Sequence, residues 1–285
     1  MPSRLDRFIT LYFFHPLSLR LRLHDEAHVP ILMYHSISND AEESVHPYFR
    51  TCTSPDVFAE HMKYLHDNDY SVISLSHAVT QLTSNQLTGN HKFVAVTFDD
   101  GFRDFYTDAF PVLQKYNFPA AMFLASDFID NKRPFKGREC LSWAEVREMH
   151  GKGILFGSHT ASHPELKRLK EKEIEGELKQ SKEVIEDRIG APVESFSYPY
   201  AFPEERKEVV AFLRSTLERL GYCNGVTTRL GTATINDNKY FLKRIPVNSM
   251  DDISFFKAKL DGGYDWLYRP QYIVKALKGK ISRTA

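Results

Sequence analysis

The chain contains little cysteine and no excess of charge of either sign. Three cysteines, Cys52, Cys140 and Cys223, occur in 285 residues, and none belongs to a Cys-x-x-Cys pair. This count indicates neither a disulfide framework nor a thiolate zinc site, and it is typical of a reducing compartment. Lysine and arginine together number 37, as do aspartate and glutamate, so the formal net charge is zero. A balanced charge argues against a nucleic-acid partner, which requires clustered cations.

Long apolar runs are also missing, because no segment reaches the ~18 residues of a transmembrane helix. Residues 8–14 are apolar, but His15 and Pro16 follow, and then arginines in place of a small-residue cleavage site. Two interpretations of this N-terminal segment stay open. It is either an amphipathic segment that packs on the domain or lies peripherally at a membrane surface, or an uncleaved targeting segment. We expect a cytoplasmic protein.

Short apolar runs alternate with longer amphipathic segments along the chain. The runs predict eight strands, at 31–35, 71–75, 93–98, 120–125, 154–159, 195–198, 222–227 and 241–247. The amphipathic segments predict helices from 55 toward 64 and at 143–150, 171–189 and 203–220, with a solvated charged face over 167–177. This alternation favours an α/β barrel with a parallel sheet. We expect an N-terminal extension at 1–28, the barrel at 29–250 and a C-terminal helical extension packed on it at 251–285.

Two adjacent carboxylates, Asp99 and Asp100, follow the apolar run at 93–98 and precede Gly101. Ionised groups at the end of a buried strand are costly unless something compensates their charge. Neighbouring strand residues point to opposite sides, so the pair serves one site only if the glycine allows a sharp turn. The alternative interpretation is a helix N-cap, which accounts for one aspartate better than for two.

His159 and His163 follow another predicted strand at a spacing of four residues. In a helical turn this spacing places both imidazoles on one side, as in metal-binding His-x-x-x-His pairs. By themselves the two histidines are also compatible with an ordinary surface position. Together with a carboxylate from the Asp99-Asp100 pair, they make a two-histidine, one-carboxylate set that leaves coordination positions open.

These segments carry a family resemblance. TFDDG at 97–101 and HTASHP at 159–164 resemble the first two motifs of the polysaccharide deacetylases, the NodB-homology group or carbohydrate esterase family 4, and SFSYPY at 195–200 resembles the third. LMYH at 32–35 resembles the poly-N-acetylglucosamine deacetylase-like subgroup, in which the motif order is circularly permuted. The resemblance extends from about residue 31 to 247, and it implies a distorted (β/α) barrel of seven or eight units.

The resemblance implies a hydrolase of carbon–nitrogen bonds, a carbohydrate N-deacetylase that uses a divalent metal, with zinc the expected ion. Asp100, His159 and His163 are then the metal ligands, and Asp99 is the general base for a metal-bound water that attacks the amide carbonyl. The backbone N–H of Tyr200 helps to hold the resulting oxyanion. The expected substrate is an N-acetylated sugar in a polysaccharide, an oligosaccharide, or a lipid- or nucleotide-linked form.

The sequence departs from the family pattern at two places. Ser197 stands where the third motif usually has the arginine that supports the base, and no histidine follows His163 to serve as the acid. By its resemblance to the permuted subgroup, His35 is the expected acid, with an internally hydrogen-bonded strand-end histidine as the alternative. Arg244 is a candidate replacement for the missing arginine.

Three further residues are candidate substrate contacts: Tyr198, Pro199 and Trp266. For Trp266, an anchor that docks the C-terminal segment is the alternative. Two other functions stay open, a carbohydrate-binding relative with weakened catalysis and a non-haem iron oxygenase that uses the same ligand types.

Overall fold

A computed structural model describes residues 4–21, 28–40, 42–84, 92–131 and 133–273. The strands in this part of the chain are β1 (His28–Val29), β2 (Ile31–Tyr34), β3 (Ser36–Ile37), β4 (Cys52–Thr53), β5 (Ser71–Val72), β6 (Phe93–Phe98), β7 (Ala121–Leu124), β8 (Leu155–Ser158), β9 (Ser195–Ser197), β10 (Asn224–Leu230), β11 (Ala233–Thr234) and β12 (Leu242–Pro246).

The helices lie between and around these strands. They are α1 (Leu5–Ile9), α2 (His15–Leu21), α3 (Pro55–Asp67), α4 (Leu75–Thr83), α5 (Phe110–Tyr116), α6 (Trp143–Gly151), α7 (Glu171–Ile189), α8 (Lys207–Arg219) and α9 (Ile253–Leu260). Two π-helical turns, Thr10–Phe14 and Phe105–Ala109, connect α1 to α2 and lead into α5. Short 3-10 turns cover Pro47–Phe49, Ser126–Phe128, Leu166–Arg168 and Asp265–Leu267.

Seven parallel strands close into a barrel in the order β2-β12-β10-β9-β8-β7-β6, and β6 pairs again with β2. The expected barrel is therefore confirmed, with seven units. The predicted strand at 71–75 is shortened to β5, which pairs with the beginning of β6 outside the closed ring. Ser71 is exposed and only Val72 packs against the larger core, so this short strand lies at the edge of the sheet.

The apolar strand β6 contributes to a hydrophobic core on each of its two sides. Val94, Val96 and Phe98 belong to the larger core, which also takes in the helices. Ala95 belongs to a smaller core together with Phe123 of β7. Because successive side chains of a strand point to opposite sides, a strand buried on both sides is largely apolar, and this explains the run in the sequence. Its one polar residue, Thr97, is buried and donates its hydroxyl to the Leu32 carbonyl at 2.6 Å.

Serine caps begin two helices where the sequence predicts them. The Ser54 hydroxyl accepts from the amide of the third residue of α3 at 3.4 Å, and Ser142 forms a capping box with Glu145 at the start of α6. The helix predicted from 203 instead begins at 207. Residues 203–206 form a turn instead, in which the Arg206 amide donates to the Pro203 carbonyl at 2.9 Å, and the Glu204 carboxylate lies 3.0 Å from Arg229 of β10.

The N-terminal helix, residues 5–21, comprises α1, the first π-helical turn and α2, and its π-helical turn packs against α9. None of the helices in the described ranges is both apolar enough and long enough to span a bilayer. Residues 1–3, 22–27 and 274–285 lie outside the described residues, and they include parts of both expected extensions. The division of the chain at 28 and 250 stays a prediction.

Candidate metal centre and active site

The residues singled out from the sequence follow the C-terminal ends of four barrel strands. His35 follows β2, the Asp99-Asp100 pair follows β6, His159 follows β8, and Tyr200 lies three residues beyond β9. Because these strands are parallel and lie in one closed sheet, their C-terminal ends open on the same face of the barrel. Tertiary structure thus brings together side chains that are up to 165 residues apart in the sequence.

Asp100, His159 and His163 form a buried cluster with the composition of a metal site. One atom of each lies within 4.8 Å of the others, and Asp100 Oδ1 is 3.6 Å from His159 Nε2 and 3.2 Å from His163 Nε2. Asp100 Oδ1 accepts no hydrogen bond from the described residues although it is buried. A buried carboxylate oxygen without a donor, facing two imidazole nitrogens, fits a divalent cation.

His159 is oriented by a hydrogen bond on the side of its ring away from the cluster. Its Nδ1 lies 2.8 Å from the carbonyl oxygen of Ser197, so Nδ1 carries the proton and the Nε2 lone pair faces Asp100. Burial lowers the pKa of His159 to about 3, against the opposing effect of the neighbouring aspartates. The imidazole is therefore neutral at physiological pH, as a metal ligand must be.

The histidine pair does not lie on a helical turn, so the predicted geometry was wrong. The segment is a loop in which Thr160 and His163 adopt left-handed backbone angles, with φ of 68° and 56°. Glu177 of α7 holds this loop: its carboxylate accepts from the amides of Ala161 and Ser162 at 2.9 and 2.8 Å, and from the Ser162 hydroxyl at 2.6 Å. Glu177 is thus not part of a solvated face, and no spacing in the sequence links it to the motif.

Adjacent aspartates reach one site because the chain turns sharply after β6. Asp100 and Gly101 both have positive φ, 76° and 72°, and a Cβ on Gly101 would lie 2.8 Å from the Ile129 side chain. Only glycine fits there without displacing a neighbour. The N-cap interpretation is wrong, because the next helical segment begins at Phe105 and has no side-chain cap.

Asp99 is held by a buried arginine from the opposite end of the chain. Arg244 of β12 donates to both of its carboxylate oxygens, at 2.8 and 2.7 Å, and Ser197 donates to Oδ1 at 3.0 Å. Burial would raise the pKa of Asp99, but the charge and hydrogen bonds of Arg244 outweigh it and hold the pKa well below its usual range. Arg244 thus makes with Asp99 the contact expected of the missing motif arginine, and Ser197 bonds to both groups.

His35 and Tyr200 border this carboxylate cluster. His35 Nε2 lies 3.9 Å from Asp99 Oδ2, and burial lowers the pKa of His35 although both aspartates raise it. The Tyr200 ring is about half exposed and packs edge-on against the His163 ring at 4.8 Å between centroids. The Tyr200 backbone is left-handed, with φ of 56°, and its carbonyl accepts from Thr228 at 2.8 Å.

Lys136 is a charged neighbour of the metal cluster that the sequence reasoning missed. It forms the tip of a two-residue hairpin with Gly137, where both residues have positive φ and Phe135 and Arg138 exchange backbone hydrogen bonds. Its ammonium donates to Asp100 Oδ2 at 2.9 Å, which leaves Oδ1 toward the histidines. The Lys-Gly dipeptide is a turn signal, but it does not reveal where the turn points.

The structure does not bring the other candidate residues together with this cluster. Tyr198 is buried in the large hydrophobic core, and Pro199 is buried beside it in the chain. Trp266 stacks on Phe14 at 4.8 Å between ring centroids and donates its indole N–H to Thr10 at 3.0 Å. These contacts correspond to the docking alternative for Trp266, with the N-terminal helix as the segment that it contacts.

Comparison with known proteins identifies the family. A family model described as polysaccharide deacetylase matches residues 86–222. YxkH of Bacillus subtilis, which bears the name of a polysaccharide deacetylase, is 34% identical over 235 residues, covering 82% of this chain and 77% of the relative. The chain belongs to the polysaccharide deacetylase family. The expected enzyme class, a hydrolase of carbon–nitrogen bonds, is confirmed with it.

Two more distant relatives place this polysaccharide deacetylase within the family. The poly-β-1,6-N-acetyl-D-glucosamine N-deacetylase of Staphylococcus aureus is 22% identical over 221 residues, covering 74% of this chain and 73% of the relative. The Streptococcus pyogenes deacetylase PplD, solved in complex with acetate, superposes with a TM-score of 0.72 at 25% identity, covering 82% of this chain and 99% of PplD. The expected resemblance to the poly-N-acetylglucosamine deacetylase group is confirmed.

Proposed function

We propose that this polysaccharide deacetylase is a metal-dependent enzyme that removes the acetyl group from an N-acetylated sugar. One observation carries the proposal: Oδ1 of Asp100, which accepts no hydrogen bond from the described residues, faces the Nε2 atoms of His159 and His163, and a second carboxylate, Asp99, is held beside it. The first group fits a divalent ion, and the second is positioned for proton transfer. Zinc suits one carboxylate and two imidazoles with open positions, and we infer it as the ion.

A divalent ion bound by Asp100, His159 and His163 would polarise the amide carbonyl and lower the pKa of nearby water. In the proposed reaction, Asp99 accepts the proton of the attacking water. Arg244 and Ser197 hold both oxygens of Asp99 in place, so the carboxylate is preorganised and needs no rearrangement during the reaction. The same cation keeps Asp99 ionised, which a proton acceptor requires.

His35 is proposed as the acid that protonates the leaving amine, because an amide nitrogen leaves poorly without a proton. It lies at the same end of the barrel as Asp99, with 3.9 Å between Nε2 and Oδ2, so a proton taken by the carboxylate has a short route to the imidazole. We further propose that the backbone N–H of Tyr200 contributes to the oxyanion site, and that its half-exposed ring contacts the sugar.

The test is acetate release from N-acetylglucosamine oligomers and from UDP-linked N-acetyl sugars. Release should occur in protein supplied with Zn²⁺, stop after chelation and return on readdition of the metal. Activity that persists after complete chelation contradicts metal dependence. Stable zinc binding with no acetate release from either substrate would instead support a carbohydrate-binding relative without catalysis, and turnover that needs oxygen would support the iron oxygenase alternative.

Two variants separate the proposed roles. Asp99→Asn should abolish turnover while the protein still binds zinc, since Asp99 is not among the three ligands. His35→Ala should slow the amide substrate by ~10²-fold or more and an activated acetyl ester much less, because a good leaving group needs no acid. Equal losses on the amide and the ester would show that His35 is not the acid.

A further inference from the structure

The N-terminal helix is attached to the protein through its polar side chains. The buried residues of segment 4–20 are all polar: Arg4, Thr10 and Ser18. The Arg4 guanidinium lies 3.3 Å from the Asp251 carboxylate, and Thr10 accepts from Trp266. In a globular domain the apolar side of a surface helix normally packs inward, so this helix is inverted.

The N-terminal helix nonetheless makes specific contacts with the rest of the protein. His15 Nε2 lies 2.9 Å from the Asp261 carboxylate. A Cβ added to Gly263 would lie 2.8 Å from the Cβ of His15, so the helix approaches this loop as closely as a glycine allows. Leu11 also packs at the edge of the small hydrophobic cluster around Tyr264. These contacts fix the orientation of the helix on the protein, and they therefore determine which of its side chains face solvent.

The outward side of the helix is apolar. We call this the outer face; its members are each 38–65% exposed and are Leu5, Phe8, Tyr12, Phe13, Phe14, Leu17 and Leu19, with Phe14 at its border because one side of that ring stacks on Trp266. They make up seven of the twelve large apolar side chains that are exposed among the described residues. The rings of Phe8 and Tyr12 lie 4.8 Å apart, so the face is continuous there.

The exposed apolar area of the outer face is large for one helix. An aromatic side chain has ~150–250 Å² of surface, so the four half-exposed rings alone offer on the order of 400 Å². A patch of this size commonly marks an interaction site.

Charge favours a lipid surface as the partner. Residues 1–23 contain four arginines and one acidic residue, Asp6; Arg4 and Arg7 pair with Asp251 and Asp252, so these two do not face a bilayer as free cations. Asp6 is turned inward, where it bonds to Arg4 and to the Tyr264 hydroxyl at 2.8 Å. Arg20, near the end of the helix, is exposed. An aromatic and leucine-rich face with arginine at its border matches helices that lie in the headgroup layer of anionic bilayers.

The size of the outer face also favours a membrane over a second copy of this chain. It is one helix wide, and apolar obligate dimers bury on the order of 1,000 Å² or more on each partner. A helix at a membrane surface needs only its apolar side buried by ~5–10 Å. The N-terminal helix has the length and polar inner side of such an interfacial helix.

We propose that the outer face inserts into the headgroup region of an anionic membrane and holds the barrel at its surface. Arg4 joins the start of this helix to Asn248 and Asp251, which directly follow β12 at the active-site end of the barrel. Docking would therefore hold the active-site end of the barrel near the membrane surface. This inference does not depend on the proposed catalytic function.

The test uses the full chain and sedimentation with large unilamellar vesicles, either of phosphatidylcholine alone or with one-third phosphatidylglycerol. Wild type should bind the anionic vesicles, and the triple variant Phe8→Ser, Tyr12→Ser, Phe13→Ser should bind at least ~10-fold more weakly. Ile235→Ser, which removes an exposed apolar side chain outside the helix, is the matched control and should bind as wild type. Arg20→Glu should weaken binding several-fold at low salt and have little effect in 0.5 M salt, because salt screens the charge.

Two further measurements distinguish a loss of vesicle binding from a loss of folding. The triple variant should unfold at the wild-type temperature or above, since the outer face faces solvent. A Tyr12→Trp variant should show a blue-shifted emission, quenched by brominated lipid, only when anionic vesicles are present. Wild type that stays unbound at all lipid concentrations overturns the proposal, as does a triple variant that binds like wild type. A dimer that the triple variant abolishes, without vesicle binding, assigns the face to a second copy instead.

Discussion

Replacing Arg244 by methionine tests the pairing that holds the proposed base. Arg244 is fully buried and makes two of its hydrogen bonds to Asp99. Methionine keeps the apolar stem but leaves a buried carboxylate without its cation, and removal of one partner from a buried ion pair costs ~3–5 kcal/mol. For a chain of this size, ~1 kcal/mol corresponds to about 2 °C, so the unfolding temperature should fall by ~6–10 °C.

The loss should depend on pH with a definite sign. In the wild type the pKa of Asp99 lies below its unfolded value of ~3.9, so the stability from this pair is complete at neutral pH and is lost only in strong acid. Without Arg244, burial raises the pKa of Asp99, and protonation then relieves the unpaired charge. The destabilisation by Arg244→Met should therefore be smaller at pH 5 than at pH 8.

The assay is thermal unfolding of chelator-treated protein, followed by circular dichroism, for both single variants and the double variant Asp99→Asn/Arg244→Met. The double variant removes both charges, so it should be more stable than Arg244→Met, and the coupling energy from the full cycle should be ~0.5–3 kcal/mol. An unfolding temperature for Arg244→Met within ~2 °C of wild type would refute the reasoning. So would a double variant less stable than Arg244→Met.

Three further predictions concern the surroundings of the site and the fold. Glu177→Ala should weaken zinc binding ~10-fold or more in competition with a fluorescent chelator, because the loop of the ligands loses its support, whereas Glu183→Ala on the exposed side of α7 should not. Gly157→Ala should lower the unfolding free energy by ~1–3 kcal/mol in urea titrations, since the added Cβ would lie 2.5 Å from the Phe123 ring. Burial lowers the pKa of His61 to about 4, so its contribution to stability is complete above pH ~6.5 and is lost as pH falls toward 4. Between pH 7 and 5 the unfolding free energy of the wild type should fall more steeply than that of His61→Asn, by at most ~1.4 kcal/mol per pH unit. Equal slopes for the two proteins would contradict this.

Local sequence patterns predicted much of the barrel because their causes are local. The apolar run of β6 predicts a strand buried on both sides, and the serines at 54 and 142 predict helix starts through bonds to amides within three residues. The local patterns predicted an element boundary incorrectly where contacts between distant parts of the chain are involved. Helix α8 begins four residues late: residues 203–206 form a turn, and Glu204 in this turn pairs with Arg229 of the distant strand β10.

For the candidate metal ligands, too, the sequence predicted the residues but not their geometry. Asp100, His159 and His163 were assignable from the sequence, since two short segments contain all three. Their geometry was not, because the loop of the histidines takes left-handed angles at Thr160 and His163 that the i, i+4 spacing does not specify.

The sequence by itself determined the seven barrel strands, the family and the three candidate ligands, since each depends on residues a few positions apart. Tertiary structure decided the rest. Arg244 reaches Asp99 across 145 residues because closure of the barrel brings β12 and β6 to opposite sides of β2. Lys136 reaches Asp100 from a hairpin tip, and the N-terminal helix turns its apolar side outward because its polar side chains find partners just before and just after α9. Which partner a side chain contacts depends on how the helices and strands pack together, and local sequence patterns do not specify that packing.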